Sequence, residues 1–393
     1  MKKLKIFLLL LVFLIIILLF FLLNISSSPI KDENSNDSYT AALKENIKVK
    51  VKVNLENQDC LKDIFLYNNY YYIHSKHKLI CYDNNFNKIL WENLDSVYYY
   101  YKNIVFCNDC IYISKKNNVK ILNYKTGKII KTIDLRNVMN IYQNNDLIYC
   151  FSNNDKIWNL SIINKKNEVI NKFKIDLKFS EIDEAVISNN NLILIDLFGE
   201  MIIYDISNSF KKIKHLNLCQ NILKEFARVI KQKKCTLLNN ENKLLIPLTN
   251  KEENLSFICI FDLINFDIDY LKLKGEILSN IIKNEDMLYF NLNENLVAYD
   301  YKKQKILKNI VIGFEYQKLL LKDENIYMGS FSGNLLAVSK TLKKSSLNSI
   351  IKNNYELMSI EGDRKIHFNF PEIIINNNEI IFTTIHKVYS IKF

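Results

Sequence analysis

The sequence predicts an all-β fold: a β-propeller of about eight four-stranded blades, with seven as the alternative, behind an N-terminal transmembrane helix. Three observations predict it. From about residue 47 to Phe393, short apolar runs alternate with clusters of Asn, Asp and Lys, as in strands joined by turns. Strand ends recur about every 40 residues, the length of one propeller blade. A lone strand-like segment at the start can complete a partial unit at the end.

The N-terminal helix rests on 18 consecutive apolar residues, Ile6 to Leu23, preceded by Lys2, Lys3 and Lys5. A helix of that length spans most of a bilayer core about 30 Å thick. The lysines predict a cytoplasmic N-terminus, with the rest of the chain outside the cytoplasm. Because Ser26 to Ser28 offer only a poor cleavage site, the sequence favours an uncleaved anchor over a cleaved signal peptide.

Domain boundaries follow from changes in composition along the chain. Residues 24–46 are polar, lack periodicity and include Pro29, which is typical of a stalk. We therefore predict a cytoplasmic tip at 1–5, a transmembrane anchor at 6–23, a stalk at 24–46 and a propeller at 47–393. The first cysteine is Cys60, far from the apolar run, which disfavours a lipid anchor.

Composition excludes some function classes. The apolar share of 49% allows a large core, and the net charge of +11 is spread thinly, with no block of basic residues. A nucleic-acid-binding protein would concentrate that charge in one stripe, so we predict no nucleic-acid partner. Eight scattered cysteines are expected to be mostly small buried apolar residues, at positions 60, 81, 107, 110, 150, 219, 235 and 259.

The repeat is defined by a polar residue that ends the third strand of each unit. These residues are Asp83, Asn123, Asn164, Asp205, Asp262, Asp300 and Ser339, at steps of 40, 41, 41, 57, 38 and 39 residues. We attribute the long step to extra polar residues around 249–256. Residues 340–372 are irregular, and only 219–234 shows helical spacing.

One unit shows the internal plan. In residues 103–135 the predicted strands are NIVF, CIYIS, VKILNY and IIKTIDL, and the turn between the last two is KTGK. At the chain ends, residues 377–393 supply two strands of a unit and 46–57 supply a lone alternating strand. Pairing that N-terminal strand with the last blade would close the ring and hide both open edges.

The turns resemble the repeat of the quinoprotein-like (PQQ-like repeat) β-propellers. The segment CYDNNFNKILWENL, 81–94, carries the Asp and Trp91, and NYKTGKIIKTIDL, 123–135, carries the Thr-Gly-Lys turn but has Lys131 near the expected Trp. Because the chain has only two tryptophans, the tryptophan-docking ring of the quinone-dependent dehydrogenases cannot be built, and no quinone cofactor is predicted. The resemblance implies the architecture, in a family that includes a protein-binding scaffold of outer-membrane assembly.

Several motifs have a possible chemical meaning and a simpler one. Gly127-Lys128 lacks the upstream Gly and following Ser or Thr of a phosphate loop, so we predict a turn. Cys107 and Cys110 have the spacing of half a zinc site; plain packing is favoured, and a disulfide or a metal remains open. His74 and His77 have no evident relation to that pair.

Two further groups are candidates for recognition or catalysis. The tyrosine runs, 70–72 and 98–101, alternate faces on a strand, so half would pack between blades and half could be exposed for recognition. Core packing is the favoured account of both runs. Glu181, Asp183 and Glu184 could act in a glycosidase-like site, but nothing places two of them across a pocket. We assign no catalytic, cofactor-binding or metal-ligating residue.

The functional expectation is a membrane-anchored, extracytoplasmic, non-catalytic propeller that binds a protein or an envelope polymer. The alternative is an enzyme, or a small-ligand or glycan receptor, that uses the central channel. Carboxylates or histidines gathered at one mouth of the channel would favour the alternative, and a flat face or edge lined with Tyr and Ile would favour the scaffold.

Overall fold

The computed structural model describes residues 48–55, 61–75, 78–94, 104–115, 117–154, 157–175, 182–207, 210–219, 229–231, 235–250, 252–313, 316–330, 334–343, 348–351, 372–376, 379–384 and 387–392. All of them belong to one compact unit, Asn46–Phe393. The predicted tip, anchor and stalk all lie outside the described residues. Within those residues, no helix is long and apolar enough to cross a membrane.

The described chain forms eight antiparallel sheets, the blades of a propeller, which confirms the predicted fold and the count of eight. The first strand is β1 (Lys48–Asn54). Blade 1 consists of β2 (Leu61–Tyr67), β3 (Tyr70–Ser75), β4 (Leu79–Tyr82) and β5 (Ile89–Asn93). Blade 2 consists of β6 (Ile104–Cys107), β7 (Cys110–Ser114), β8 (Val119–Asn123) and β9 (Ile129–Ile133). Blade 3 consists of β10 (Val138–Asn144), β11 (Leu147–Asn154), β12 (Ile157–Ile163) and β13 (Val169–Ile175).

The same plan continues through the second half of the ring. Blade 4 consists of β14 (Glu184–Ser188), β15 (Asn191–Ile195), β16 (Glu200–Asp205) and β17 (Lys211–Asn217). Blade 5 consists of β18 (Val229–Lys231), β19 (Thr236–Leu238), the 3₁₀ turn Asn239–Glu241, β20 (Lys243–Asn250), β21 (Leu255–Asp262) and β22 (Ile268–Lys274). Blade 6 consists of β23 (Ile282–Asn284), β24 (Met287–Leu292), β25 (Asn295–Asp300) and β26 (Lys305–Val311). Blade 7 consists of β27 (Tyr316–Lys322), β28 (Asn325–Ser330), β29 (Leu335–Ser339) and β30 (Asn348–Ile351). Blade 8 consists of β31 (Ile373–Asn376), β32 (Glu379–Thr383), β33 (Lys387–Lys392) and β1.

Blade 8 closes the ring as predicted. β1 pairs antiparallel with β33, from Lys48 opposite Lys392 to Asn54 opposite Lys387, and becomes the outermost strand of that blade. The strand that opens the described chain therefore joins the strand that ends it, so the ring leaves no blade short of a strand.

Tight hairpins connect the first and second strands of the blades. In blades 1, 2 and 4 the turns are Asn68-Asn69, Asn108-Asp109 and Asn189-Asn190, with positive φ at both residues. Two-residue turns of this kind match the right-handed twist of the strands, and Asn and Asp tolerate them best. The abundant Asn of the sequence thus encodes the hairpins.

Apolar clusters fill each of the eight junctions between blades. Trp158 of blade 3 packs with Leu192 of blade 4, and Val53 and Ile381 of blade 8 pack with Ile73 of blade 1. The second and third strands are largely buried on both faces because each blade packs against two neighbours, so the core consists of eight apolar layers between blades.

Our explanation of the long step in the repeat is wrong. A turn that includes residues 252–254 joins β20 to β21, and the additional residues lie between β17 and β20, where β18 and β19 both pair with β20. Within the stretch 219–234, which has helical spacing, Val229–Lys231 form a strand.

Candidate interaction surface

Chain direction divides the ring into two faces. The turns between first and second strands and between third and fourth strands lie on one face, here called the turn face. The turns between second and third strands and the connections between blades lie on the other, here called the link face.

The residues that define the repeat cap the outer turns of the turn face. Asp262 Oδ1 accepts the backbone N–H of Ile264 at 2.8 Å and of Asn265 at 2.9 Å. Asn123 Oδ1 accepts those of Lys125 at 3.0 Å and Thr126 at 3.1 Å. The same role is taken by Asp83, Asn164, Asp205, Asp300 and Ser339. The repeat residues therefore accept hydrogen bonds from the backbone of the turn that follows them.

Outer and inner turns of the turn face are tied together. The residue after the cap donates its N–H to a carbonyl in the first turn of the same blade, as in Tyr124 to Asp109 (3.3 Å) and Leu263 to Asn242 (2.8 Å). The same bond occurs in blades 4, 6 and 7. Two rows of turns thus form one hydrogen-bonded surface.

Gly127 lies in such a turn, under an aromatic side chain of the preceding blade. Trp91 of β5 donates its Nε1–H to the carbonyl of Tyr124 at 3.0 Å, and a Cβ at Gly127 would stand 2.5 Å from the indole ring. The positions of β17 and β26 that match Trp91 in register are Lys214 and Lys308, which donate to carbonyls of Phe266 (3.1 Å) and Thr341 (3.0 Å) in the following blade. Lys131 is the equivalent residue of blade 2. A lysine thus replaces the tryptophan of the repeat and still bridges two blades.

A buried polar ring at the link face has no counterpart in the sequence-based expectations. Every blade has a buried polar residue within two residues of the end of its second strand: Ser75, Ser114, Ser152, Asp196, Asn250, Asn291, Ser330 and Thr383. Asp196 and Asn250 accept backbone N–H groups of the turn that follows, at 2.8 Å from Phe198 and 3.1 Å from Glu252. The sequence signal that could have predicted this ring is the polar residue near the end of each blade's second apolar run.

Polar bridges also join the innermost parts of successive blades. Asn140 donates to the carbonyl of Ile182 (2.9 Å), and Thr236 to that of Ile281 (2.8 Å). Glu184, which we considered for acid–base chemistry, is buried and accepts the N–H of Cys235 at 2.8 Å. Its carboxylate therefore serves the junction between blades 4 and 5. Asp183 neighbours it, and Glu181 lies outside the described residues.

The tyrosine prediction is partly wrong. Tyr71 and Tyr72 are both fully buried, because an inner strand packs against one blade on each face. Tyr71 stacks on Phe86 with ring centroids 4.1 Å apart, and Tyr72 donates its hydroxyl to the carbonyl of Tyr124 at 3.1 Å. The second run, 98–101, lies outside the described residues.

The two histidines of the sequence motif are not brought into a described site. His74 is buried, neither ring nitrogen forms a hydrogen bond, and its Nδ1 lies 3.8 Å from a carboxylate oxygen of Asp63. His77 lies outside the described residues. No three His, Cys, Asp or Glu side chains of the described chain meet in a way that could hold a metal ion.

Cys107 and Cys110 face each other across the Asn108-Asp109 turn as free, buried thiols. Cys107 Sγ lies 3.4 Å from the carbonyl of Asn145 in blade 3, and Cys110 Sγ lies 4.0 Å from the amide nitrogen of Asn167. Burial raises the pKa of both thiols. Packing is therefore what the geometry supports for this pair.

Charge on the turn face is arranged in two concentric rows. The described outer turns hold nine lysines and two carboxylates besides the caps: Lys88, Lys125, Lys128, Lys165, Lys166, Lys302, Lys303, Lys340 and Lys343, with Glu168 and Asp267. The described inner turns hold seven carboxylates and no Lys or Arg: Asp109, Asp146, Glu241, Glu285, Asp286, Asp323 and Glu324. Ion pairs of 2.8 Å cross between the rows at Lys302–Asp286 and Lys340–Glu324.

An apolar area occupies the outer edge of blades 1 and 2. Ile89, Leu90, Leu94, Ile129 and Ile130, here called the rim patch, are each exposed by between 38% and 74%. A hydrogen bond joins β5 to the turn that precedes β9: the side-chain amide of Asn93 donates to the carbonyl of Gly127 at 3.3 Å. Ile89 and Leu90 lie on β5, Leu94 follows that strand, and Ile129 and Ile130 lie on β9.

No protein-family model matches the sequence, and no curated protein matches it. Solved propellers do match in structure. BamB from Moraxella catarrhalis has a TM-score of 0.61 and 9% identity, over 88% of this chain and 99% of its own. The WD40 domain of SCAP from fission yeast has a TM-score of 0.56 and 10% identity, over 89% and 98%. A chain of the mitotic checkpoint complex has a TM-score of 0.50 and 9% identity, over 76% and 88%. At such identities the likeness shows the β-propeller fold alone.

Proposed function

We propose that this chain is a membrane-anchored, extracytoplasmic propeller that binds a protein partner without catalysis. The rim patch carries the proposal. Five large apolar side chains exposed on adjoining outer strands form the kind of surface that marks a protein interaction site. One of the structurally similar propellers is a component of an assembly, the mitotic checkpoint complex.

The backbone of the same strands supports this assignment. β5 and β9 pair only with β4 and β8 among the described strands, so their outer edges offer unpaired N–H and C=O groups. An extended segment of a partner could add to such an edge, with apolar side chains of the rim patch setting specificity. Trp91, seated against the next blade, holds the two strands in a fixed relation.

The decisive experiment is crosslinking in intact cells with full-length protein. We expect the variant Leu94→Glu, Ile130→Glu to lose a specific crosslinked protein that the unchanged chain retains. The control is Ile306→Glu, Leu307→Glu, which changes two exposed apolar residues on the outer strand of blade 6. Equal capture by both variants would refute the rim patch as the binding site.

The anchor has its own test. If Ile6 to Leu23 span the bilayer, the full chain resists extraction by alkaline carbonate, and a protease added outside the cytoplasm reaches the propeller. Release of the chain by carbonate would reject the anchor and leave the crosslinking result standing.

A further inference from the structure

We infer that the turn face is a docking surface for an anionic phospholipid bilayer. The first observation is its charge pattern. Nine lysines in the described outer turns come from blades 1, 2, 3, 6 and 7, so they form an interrupted ring around the face rather than one cluster. A ring of cations on one side of a disc fits an extended anionic plane better than a compact acidic segment.

Several of these lysines are free to interact with anionic headgroups. Lys128, Lys165 and Lys166 are exposed, and none forms an ion pair with the part of the chain that the structure describes. Near an anionic bilayer each such side chain contributes about 1 kcal/mol, within a Debye length of the surface. Ile264, 61% exposed in the outer turn of blade 5, adds apolar area on the same side.

The inner row of carboxylates sets the depth of contact. Asp109, Asp146 and Glu285 stand nearer the ring axis and repel anionic headgroups. Contact is therefore restricted to the outer turns, so the face rests on the bilayer by its lysine row.

The second observation is where the preceding chain enters the ring. β1 begins at the turn face, because Lys48 pairs with Lys392 at the end of the third strand of blade 8. Residues 24–47 separate Lys48 from the apolar run that ends at Leu23. This part of the inference rests on the proposed anchor, which precedes β1 in the sequence.

The test uses residues 46–393, which form a compact unit with all eight junctions inside it. Co-sedimentation is measured with vesicles of phosphatidylcholine alone and of phosphatidylcholine mixed with phosphatidylglycerol. We expect binding to the mixed vesicles only, and release at high salt. The variant Lys128→Gln, Lys165→Gln, Lys166→Gln should bind about 100-fold more weakly, since three lysines contribute about 3 kcal/mol.

The matched control removes the same charge elsewhere. Lys174, Lys272 and Lys274 are exposed near the link-face ends of outer strands, and Lys174→Gln, Lys272→Gln, Lys274→Gln should lose less than about tenfold. Equal losses in both variants would show non-specific attraction and overturn the inference. Failure to bind anionic vesicles would also overturn it and would favour an acidic protein on this face. Because these assays lack residues 1–45, their outcome is independent of carbonate extraction of the full chain.

Discussion

The indole of Trp91 covers Gly127 of the adjacent blade so closely that Gly127 can gain a side chain without a clash only if Trp91 is also changed. A Cβ at Gly127 would stand 2.5 Å from two ring atoms, and the glycine also holds a φ of +66°. The indole N–H bonds to the same turn, at the carbonyl of Tyr124. This contact joins blade 1 to blade 2, between the two strands that carry the rim patch.

We predict a strong coupling between these residues. Trp91→Ala should lower the free energy of unfolding by about 2–4 kcal/mol through lost packing, and Gly127→Ala by about 2–3 kcal/mol through the clash and backbone strain. In the double variant the clash is gone, so the loss should be smaller than the sum by about 1–2 kcal/mol. Urea unfolding of all four proteins measures this, and strict additivity would contradict the contact.

Replacement by asparagine should change the melting temperature in opposite directions at Asp196 and at Asp262. Burial raises the pKa of Asp196, whereas the N–H groups of Asn265 and Ile264 lower the pKa of Asp262. A carboxyl with a raised folded pKa contributes stability that is lost as the pH rises through that value. One with a lowered folded pKa contributes stability that is lost as the pH falls through it.

At neutral pH, Asp196→Asn should therefore raise the melting temperature and Asp262→Asn should lower it. Both differences should vanish in acid, where the carboxyls are protonated. Asp196→Ala is the control for the turn, because it removes the acceptor of two N–H groups and should cost about 1–2 kcal/mol. Thermal melts across the pH range measure these differences. A melting-temperature shift of the same sign in both Asn variants would refute the directions assigned to the two pKa values.

The buried thiols should be inert in the folded ring. Burial raises the pKa of Cys81 and Cys150 to about 12 and also raises that of Cys107 and Cys110. Since the thiolate is the reactive form, iodoacetamide at mildly alkaline pH should label these sites only after unfolding. Peptide mass spectrometry before and after denaturant measures each site. A Cys107–Cys110 disulfide in the native protein would contradict the free pair.

Strand β1 should be essential for a stable ring and replaceable in trans. Deleting residues 1–55 removes Val53 and Leu55 from the junction of blades 8 and 1, a loss of about 3–6 kcal/mol. Deleting residues 1–45 should cost little, because the compact unit begins at Asn46. A synthetic peptide of residues 46–55 should raise the melting temperature of the longer deletion, and a scrambled peptide should not. Equal stability of the two deletions would contradict closure by β1.

What the sequence could predict depended on the range of the interaction. Asp262 and Asn123 bond to N–H groups two or three residues away, so a local pattern was enough to place them. Glu184 bonds to Cys235, 51 residues along the chain, and no local pattern could separate that role from acid–base chemistry. Trp91 and Gly127 were each singled out from the repeat, but their contact needed the packing of two blades. The buried polar ring at the link face was missed because serines and asparagines are common throughout this chain.

The way β1 enters blade 8 has a mechanical consequence. β1 begins at the turn face and runs toward the link face, antiparallel to β33 over Lys48 to Asn54. A pull on the preceding segment, directed away from the turn face, acts along the strand axis and loads the hydrogen bonds of the pair side by side. They must then break together rather than one after another. A chain tethered at its N-terminus is thus held by its closing strand in shear, the geometry that best resists force.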